Sequence, residues 1–206
     1  VIKNIANKLF IGMYYMDQQF LVLTWENLVA LAMDLSIKIK NSGYIPEAIV
    51  AILRGGYIVA KLVGDYLAID NISTVEIKFY RGIGEKGERP VVLSPITHDL
   101  RGKSVLIVDD VSDSGRTLQV AIDVVKLHGA KHIKTATLYI KPWSITMPDY
   151  YVDETKSWIV FPWEVSEIIR ELAKKLGNIE SAINMLNLEK YYDKNFIDKL
   201  TKLLKQ

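Results

Sequence analysis

Residues 104–129 constrain the fold more than any other stretch of this chain. Residues 104–108 (SVLIV) form a short continuous apolar run, the mark of a strand buried on both faces. A polar segment, residues 109–117, follows. Residues 118–127 then repeat apolar side chains at helical spacing before the stop at Gly129. The same order occurs earlier, where residues 48–53 (AIVAIL) read as a buried strand, Gly55-Gly56 as a turn, and Val59, Leu62, Val63, Tyr66 and Leu67 as a helical stripe. Strands are also expected over residues 74–80, 133–140 and 158–161. Strand, loop, helix and strand in repetition predict an α/β fold, a parallel sheet flanked by helices.

The flanks read differently. Trp25, Leu28, Val29, Ala32, Ile37 and Ile39 recur at roughly helical spacing and stop at Asn41-Ser42-Gly43. Residues 82–98 are rich in Gly, Pro and charge, so they are expected to be a long mobile loop. After Pro162, Val165, Ile168, Ile169, Leu172 and Leu176 form a helical stripe that breaks at Gly177-Asn178, and two short amphipathic stretches follow to Leu204. This tail is expected to be helical and an added module, used for packing or dimerisation. A chain of 206 residues is then one domain with an appendage.

Composition narrows the function. Lys and Arg number 26 against 24 Asp and Glu, a net charge of +2, which argues against a nucleic-acid partner. With no cysteine there is no disulfide, zinc knuckle or thiol nucleophile, and a cytoplasmic setting is the simplest expectation. No segment has the ~18 consecutive apolar residues of a membrane helix. Residues 9–16 follow Lys3 and Lys8 as in a signal peptide, but Asp17-Gln18-Gln19 replaces a cleavage site, so an amphipathic leader or a piece of extra N-terminal sequence is expected. His98, His128 and His132 show no metal-ligand spacing.

Ligands of a doubly wound sheet bind beyond the carboxyl ends of the strands, which singles out the loops after Leu53, Tyr80 and Val108. After Val108, Asp109 and Asp110 are adjacent acids that can accept hydrogen bonds from a vicinal diol. Ser114-Gly115-Arg116-Thr117 then enters a helix, offering backbone amides, hydroxyls and a helix N-terminus to a phosphate. A sugar with neighbouring hydroxyls and a 5′-phosphate fits both halves. The same residues also suit an ordinary strand-to-helix turn with capping Asp and Ser. Two other nucleotide signals fail. No G-x-x-x-x-G-K-[ST] exists in the chain, and Gly82 to Gly87 matches G-x-G-x-x-G without a following helix, since Pro90 and Pro95 intervene.

VLIVDDVSDSGRTL (105–118) resembles the phosphoribosyl-pyrophosphate motif of the type I phosphoribosyltransferases. The resemblance implies that Asp109 and Asp110 hold the ribose hydroxyls and a Mg²⁺ ion. It implies that Ser112, Ser114, Gly115, Arg116 and Thr117 hold the 5′-phosphate, and that Asp113 sits near the base as a proton acceptor. AILRGGY (51–57) resembles the pyrophosphate loop of hypoxanthine-guanine phosphoribosyltransferases, giving Arg54, Gly55 and Gly56 to pyrophosphate and implying a cis Leu53–Arg54 bond. Lys78-Phe79-Tyr80 is similar to the family's Lys-Ser-Tyr element, with Phe79 departing from Ser, so Lys78 and Arg81 become the expected pyrophosphate contacts. Lys141 matches the lysine that donates to a 6-oxo group, and Trp158 and Ile159, in KSWIVFPWE, match the residues that stack on the base and read its edge. Taken singly, Lys141 also suits a solvated strand end and Trp158 a core position.

The resemblance covers residues 22–164 and implies a type I phosphoribosyltransferase-like domain with a small hood, between an N-terminal extension (1–21) and the helical tail (165–206). The implied enzyme is a Mg²⁺-dependent purine phosphoribosyltransferase of purine salvage. It displaces pyrophosphate from phosphoribosyl pyrophosphate with a purine base, a 6-oxopurine being slightly favoured. Arg54, Lys78 and Asp113 are the implied catalytic groups, residues 82–97 a lid, and a homodimer or higher homo-oligomer the expected assembly. An adenine-specific enzyme and a phosphoribosyl-pyrophosphate-sensing transcriptional regulator remain alternatives. A synthetase of phosphoribosyl pyrophosphate usually has two such domains, and the length disfavours it.

Overall fold

A computed structural model describes residues 19–81 and 88–205. Along the chain come β1 (Phe20–Val22), α1 (Trp25–Asn41), β2 (Ala48–Ile52), α2 (Gly55–Leu67), β3 (Ile72–Arg81), β4 (Glu88–Ser94), β5 (Ser104–Ser112) and α3 (Arg116–Leu127). Then follow β6 (His132–Ile140), β7 (Tyr150–Glu154), β8 (Trp158–Val160), α4 (Val165–Leu176), α5 (Ile179–Met185), a 3₁₀ turn (Leu188–Lys190) and α6 (Lys194–Leu204). The described residues divide into two compact units, residues 28–155 and, together, residues 19–27 and 156–205. The boundary therefore falls at Thr155, before the expected one at Glu164, and residues 19–27 group with the tail.

The larger unit holds a six-stranded sheet in the order β4-β3-β2-β5-β6-β7, parallel except where β4 runs antiparallel to β3. Strand alternation turns Val50, Ile52, Val75, Val105 and Ile107 to one face, where they pack on Leu118, Ala121 and Val125 of α3. Ile49, Ala51, Leu106 and Val108 alternate to the other face and are also fully buried, as are Val59, Ala60 and Val63 of α2. Each such Val, Leu or Ile side chain removed from water is worth about 1.5–3 kcal/mol. Because β2 sends its chain toward β3 while β5 lies on its other side, the loops after β2 and β5 part on opposite faces. That divergence leaves a crevice at the carboxyl ends of the strands.

Three expectations are corrected. Residues 88–94 are a strand and not part of a long loop. Pro90 pairs with Phe79 at the sheet edge, where a missing N–H costs no ladder bond. β5 continues to Ser112 because Asp109, Val111 and Ser112 pair with Thr137, Tyr139 and Ile140, so the polar loop starts later than its composition suggests. Helix α1 buries Leu28, Ala32, Leu35, Ser36 and Ile39, while Trp25, Val29 and Ile37 from the expected stripe are about half exposed. Helix α1 starts where Thr24 and Asn27 cap each other, Asn27 N donating to Thr24 Oγ1 and Thr24 N to Asn27 Oδ1. The expected leader at residues 9–16 and the glycine run 82–87 lie outside the described residues.

In the second unit β1 pairs in parallel with β8, Leu21 opposite Ile159. Val22 and Val160 share one core with Val165, Ile169 and Leu172 of α4, Ile183 of α5 and Ile197 of α6. The expected break between helices is a left-handed Gly177 (φ +92°) followed by Asn178, whose Oδ1 accepts from Ser181 N at 2.7 Å. Asp193 caps α6 in the same way through Phe196 N. The tail's apolar face is thus used inside its own unit.

Candidate active site

The end of β5 carries the acid pair. Asp109 Oδ1 accepts from Asp110 N at 3.0 Å, and Asp110 Oδ1 accepts from Val111 N at 2.8 Å. The carboxyls retain partial solvent contact, yet the surrounding protein strips most of their water. Loss of hydration raises both; Asp109 is held well above the ordinary carboxylate range and Asp110 is pushed up to about 6. The Asp110 charge raises Asp109 further. Two such carboxyls side by side are electrostatically unfavourable, and hydroxyl donors or a cation would relieve them.

Gly56, at the start of α2, lies against this strand end. A Cβ there would sit 2.7 Å from Val108 O and 2.9 Å from Asp109 Oδ1, so only glycine lets the two loops meet. The Leu53–Arg54 peptide is cis. Arg54 is exposed at the N-cap of α2, and no side chain caps that helix. The first amides of α2 and its dipole therefore face the crevice beside Asp109. Lys78, on β3, is exposed and forms an ion pair of 3.1 Å with Glu76. Phe79, one residue on, faces the opposite side and packs against the core of the α3 face. The Arg116 guanidinium lies over its ring, 4.6 Å from the centroid. Arg81 ends β3 by its backbone pairing with Glu88.

Past β5 the chain turns through Asp113 and Ser114, both exposed, to Gly115 at φ +78° and then into α3. No side chain caps α3 through Gly115, and Arg116 N makes a 3.3 Å bond to Ser114 Oγ. The turn thus presents a helix N-terminus, with Thr117 in its first turn, suited to an anion. Ser112 behaves otherwise. It is 3% exposed, and its hydroxyl meets Ser144 Oγ at 2.9 Å and Thr146 O at 3.0 Å. The hydroxyl expected to meet phosphate is engaged here with the loop after β6.

Of that loop, residues 141–149, sequence reasoning singled out Lys141 alone. Lys141 N donates to Ser112 O, Ile145 N to Ser114 O, and Ser144 N closes a turn on Lys141 O. A Cβ on Gly115 would come within 2.6 Å of Ser144 Oγ. Lys141 itself is 6% exposed, and burial lowers its ammonium pKa against the opposing pull of Asp113. Its Nζ lies 5.7 Å from the Trp143 ring centroid, and Trp143 Nε1 donates to Asp113 Oδ1 at 2.8 Å. Trp158 and Ile159 lie in the second unit, on β8, with the Trp158 ring half exposed and Ile159 buried. Among the described residues no group of three or more His, Cys, Asp and Glu gathers as a metal cage.

A model of the phosphoribosyl transferase domain matches residues 21–170. The chain belongs to that family. A xanthine-guanine phosphoribosyltransferase from Cereibacter sphaeroides is 36% identical over 124 residues, 58% of this chain and 70% of its own. One from Gluconobacter oxydans is 30% identical over 151 residues, covering 72% of this chain and 87% of its own. Among solved structures, a purine phosphoribosyltransferase from Pyrococcus horikoshii is 43% identical, with a TM-score of 0.64 over 70% of this chain and 94% of that one. A xanthine-guanine-hypoxanthine phosphoribosyltransferase from Helicobacter pylori, 20% identical, shares the fold with a TM-score of 0.63 over 76% of this chain and 99% of its own. The acid pair, the Gly115 turn and the Arg54 corner of this phosphoribosyltransferase all lie within the matched residues, as does the first half of α4; α5 and α6 lie beyond them.

Proposed function

We propose that this phosphoribosyltransferase transfers the 5-phosphoribosyl group of phosphoribosyl pyrophosphate to a 6-oxopurine (hypoxanthine, guanine or xanthine), giving a nucleoside monophosphate and pyrophosphate. The observation that carries the base preference is Lys141, a buried ammonium at the carboxyl end of β6 whose nearby charged neighbour is Asp113. A carbonyl oxygen accepts a hydrogen bond from that group; a 6-amino group cannot. The names of the relatives support the same substrate class, and nothing comparable supports the adenine-specific or sensor alternatives.

In this reading a purine ring nitrogen bonds to the anomeric carbon as the bond from that carbon to pyrophosphate oxygen breaks, its electron pair leaving with pyrophosphate. Asp113 accepts or shares the proton that the purine nitrogen loses. Asp109 and Asp110 take the ribose hydroxyls, and the Ser114, Gly115, Arg116 and Thr117 turn takes the 5′-phosphate. Arg54, Lys78, Arg81 and the amides of Gly55 and Gly56 meet the negative charge that develops on the leaving group. Trp158 keeps the stacking role and Ile159 the edge-reading role that the resemblance assigns; the half-exposed Trp158 ring supports the first.

The donor set fits Mg²⁺, because two adjacent hard carboxylates suit an ion that keeps waters and substrate oxygens around it. Held by Asp109 and Asp110, it would supply charge neutralisation at the pyrophosphate. No helix among the described residues is long and apolar enough to cross a membrane. The lack of cysteine supports the cytoplasmic setting. Val29, Met33 and Ile37, spaced by four residues on α1 and 40–49% exposed, support self-association into a homodimer. Replacing Lys141 by Met tests the substrate class. Turnover with hypoxanthine and guanine should fall about a hundredfold while adenine gains relative to them; an unchanged preference would refute the assignment.

A further inference from the structure

Trp143 is a large side chain at the strand ends that the proposed chemistry leaves without a task. Its ring is 54% exposed, which removes the ordinary reason for a tryptophan, burial in a core. Yet its position is tightly set. The turn from Lys141 O to Ser144 N brackets it, and the bonds from Lys141 N to Ser112 O and from Ile145 N to Ser114 O fasten that turn to the chain entering α3. Ser112 and Ser144 tie the same two segments through their hydroxyls, and Gly115 leaves the approach open. Held this way, Nε1 donates to Asp113 Oδ1 at 2.8 Å. Among the described residues Asp113 has no other hydrogen-bond donor on its carboxylate, so the Trp143 bond fixes Oδ1, while the Lys141 ammonium is the charge nearby.

Resting on the purine-transfer reading of the site, we propose that Trp143 is a positioning residue for Asp113. Its indole N–H holds one carboxylate oxygen so that the other faces the proton released by the purine. An exposed aspartate otherwise samples several rotamers, and only the aligned one shortens the proton's path. Donation by the indole N–H occupies one oxygen and leaves the other able to accept. The indole face lies near the Lys141 ammonium as well, so a single side chain borders both polar groups assigned to the base.

The test is a double-mutant cycle with Trp143→Phe, which keeps an aromatic ring and removes the donor, and Asp113→Asn. In the otherwise native enzyme, Trp143→Phe should lower kcat roughly tenfold, the scale of one hydrogen bond to a charged group, while KM for phosphoribosyl pyrophosphate stays within twofold. In the Asp113→Asn background it should change kcat by less than twofold. An equal loss in both backgrounds, or no loss in the native one, overturns the proposal. Full activity of Asp113→Asn also overturns it, leaving nothing for Trp143 to position; absence of turnover on any purine by the native enzyme would instead sink the functional reading.

A measurement independent of turnover keeps the two apart. Of the four tryptophan indole N–H resonances, the one lost in Trp143→Phe should move in Asp113→Asn, and should retain its Asp113-dependent shift when inosine 5′-monophosphate is bound. A resonance indifferent to Asp113, or one released by the nucleotide, contradicts the proposal.

Discussion

The loops after β5 and β6 leave neighbouring parallel strands at the same end of the sheet and lie against each other, yet they differ in kind. The first, with the end of β5 that leads into it, carries the charge and a helix N-terminus: Asp109 and Asp110 on the strand and the Gly115 turn beyond it. The second spends its polar groups on the first. Its Ser144 hydroxyl, Thr146 carbonyl and Ile145 amide hold Ser112 and Ser114, and its Trp143 holds Asp113. One loop supplies the chemistry and the other fixes its geometry. A phosphate site made of backbone amides depends on such bracing, because amides have no rotamers with which to adjust.

The sharpest way to separate the two roles is to remove the acids. Replacing Asp109 and Asp110 together by Asn should cut turnover about a hundredfold or more and yet raise the melting temperature of the ligand-free protein, because two costly buried carboxyls become neutral. A parallel fall in stability would show that the acids are part of the fold. Gly115→Ala attacks the contact between the loops. A left-handed residue with Ser144 Oγ 2.6 Å from the new Cβ should cost about 3 kcal/mol, with weakened binding of phosphoribosyl pyrophosphate, both read by thermal unfolding with and without the substrate.

Ser112→Ala is a smaller change and discriminates more finely. It should lower stability by about 1 kcal/mol while leaving affinity for phosphoribosyl pyrophosphate within twofold, as a brace would; a large loss of affinity with unchanged stability would return Ser112 to the phosphate. The pH response should be smaller still. A carboxyl raised to about 6 in the fold binds its proton before the unfolded chain does, so stability rises as pH falls from 7 toward 4, and is lower above about 6. The melting temperature of the apo protein should therefore show an acid-side gain of a few degrees, flattened in Asp110→Asn; an unchanged slope would deny the buried acid its effect.

The sequence showed the first loop plainly and the second hardly at all, for physical reasons. Charge adjacency, glycine and a following helix are local signals, so β2, β5, α3 and β6 were placed to within a few residues, and the phosphoribosyltransferase motif was readable from the chain alone. Bracing is non-local. Nothing in Pro142-Trp143-Ser144-Ile145 announces that these residues will meet Ser112 to Gly115, about thirty positions earlier. Composition also misled at β4, where Pro90 and charge suggested a loop although an edge strand tolerates both. It misled again at the end of β5, where polar side chains stand on backbone that is still paired. The short edge strand β7 was missed although Tyr150-Tyr151-Val152 has strand-forming residues, because a few residues do not establish a period.

The most direct test of the whole account is pyrophosphate release with Mg²⁺ and phosphoribosyl pyrophosphate, supplying hypoxanthine, guanine, xanthine and adenine one at a time. The account predicts release with 6-oxopurines and little or none with adenine. Release with adenine alone would keep the family and refute the base site built on Lys141, and tight binding of phosphoribosyl pyrophosphate without release on any base would contradict the enzymatic reading itself.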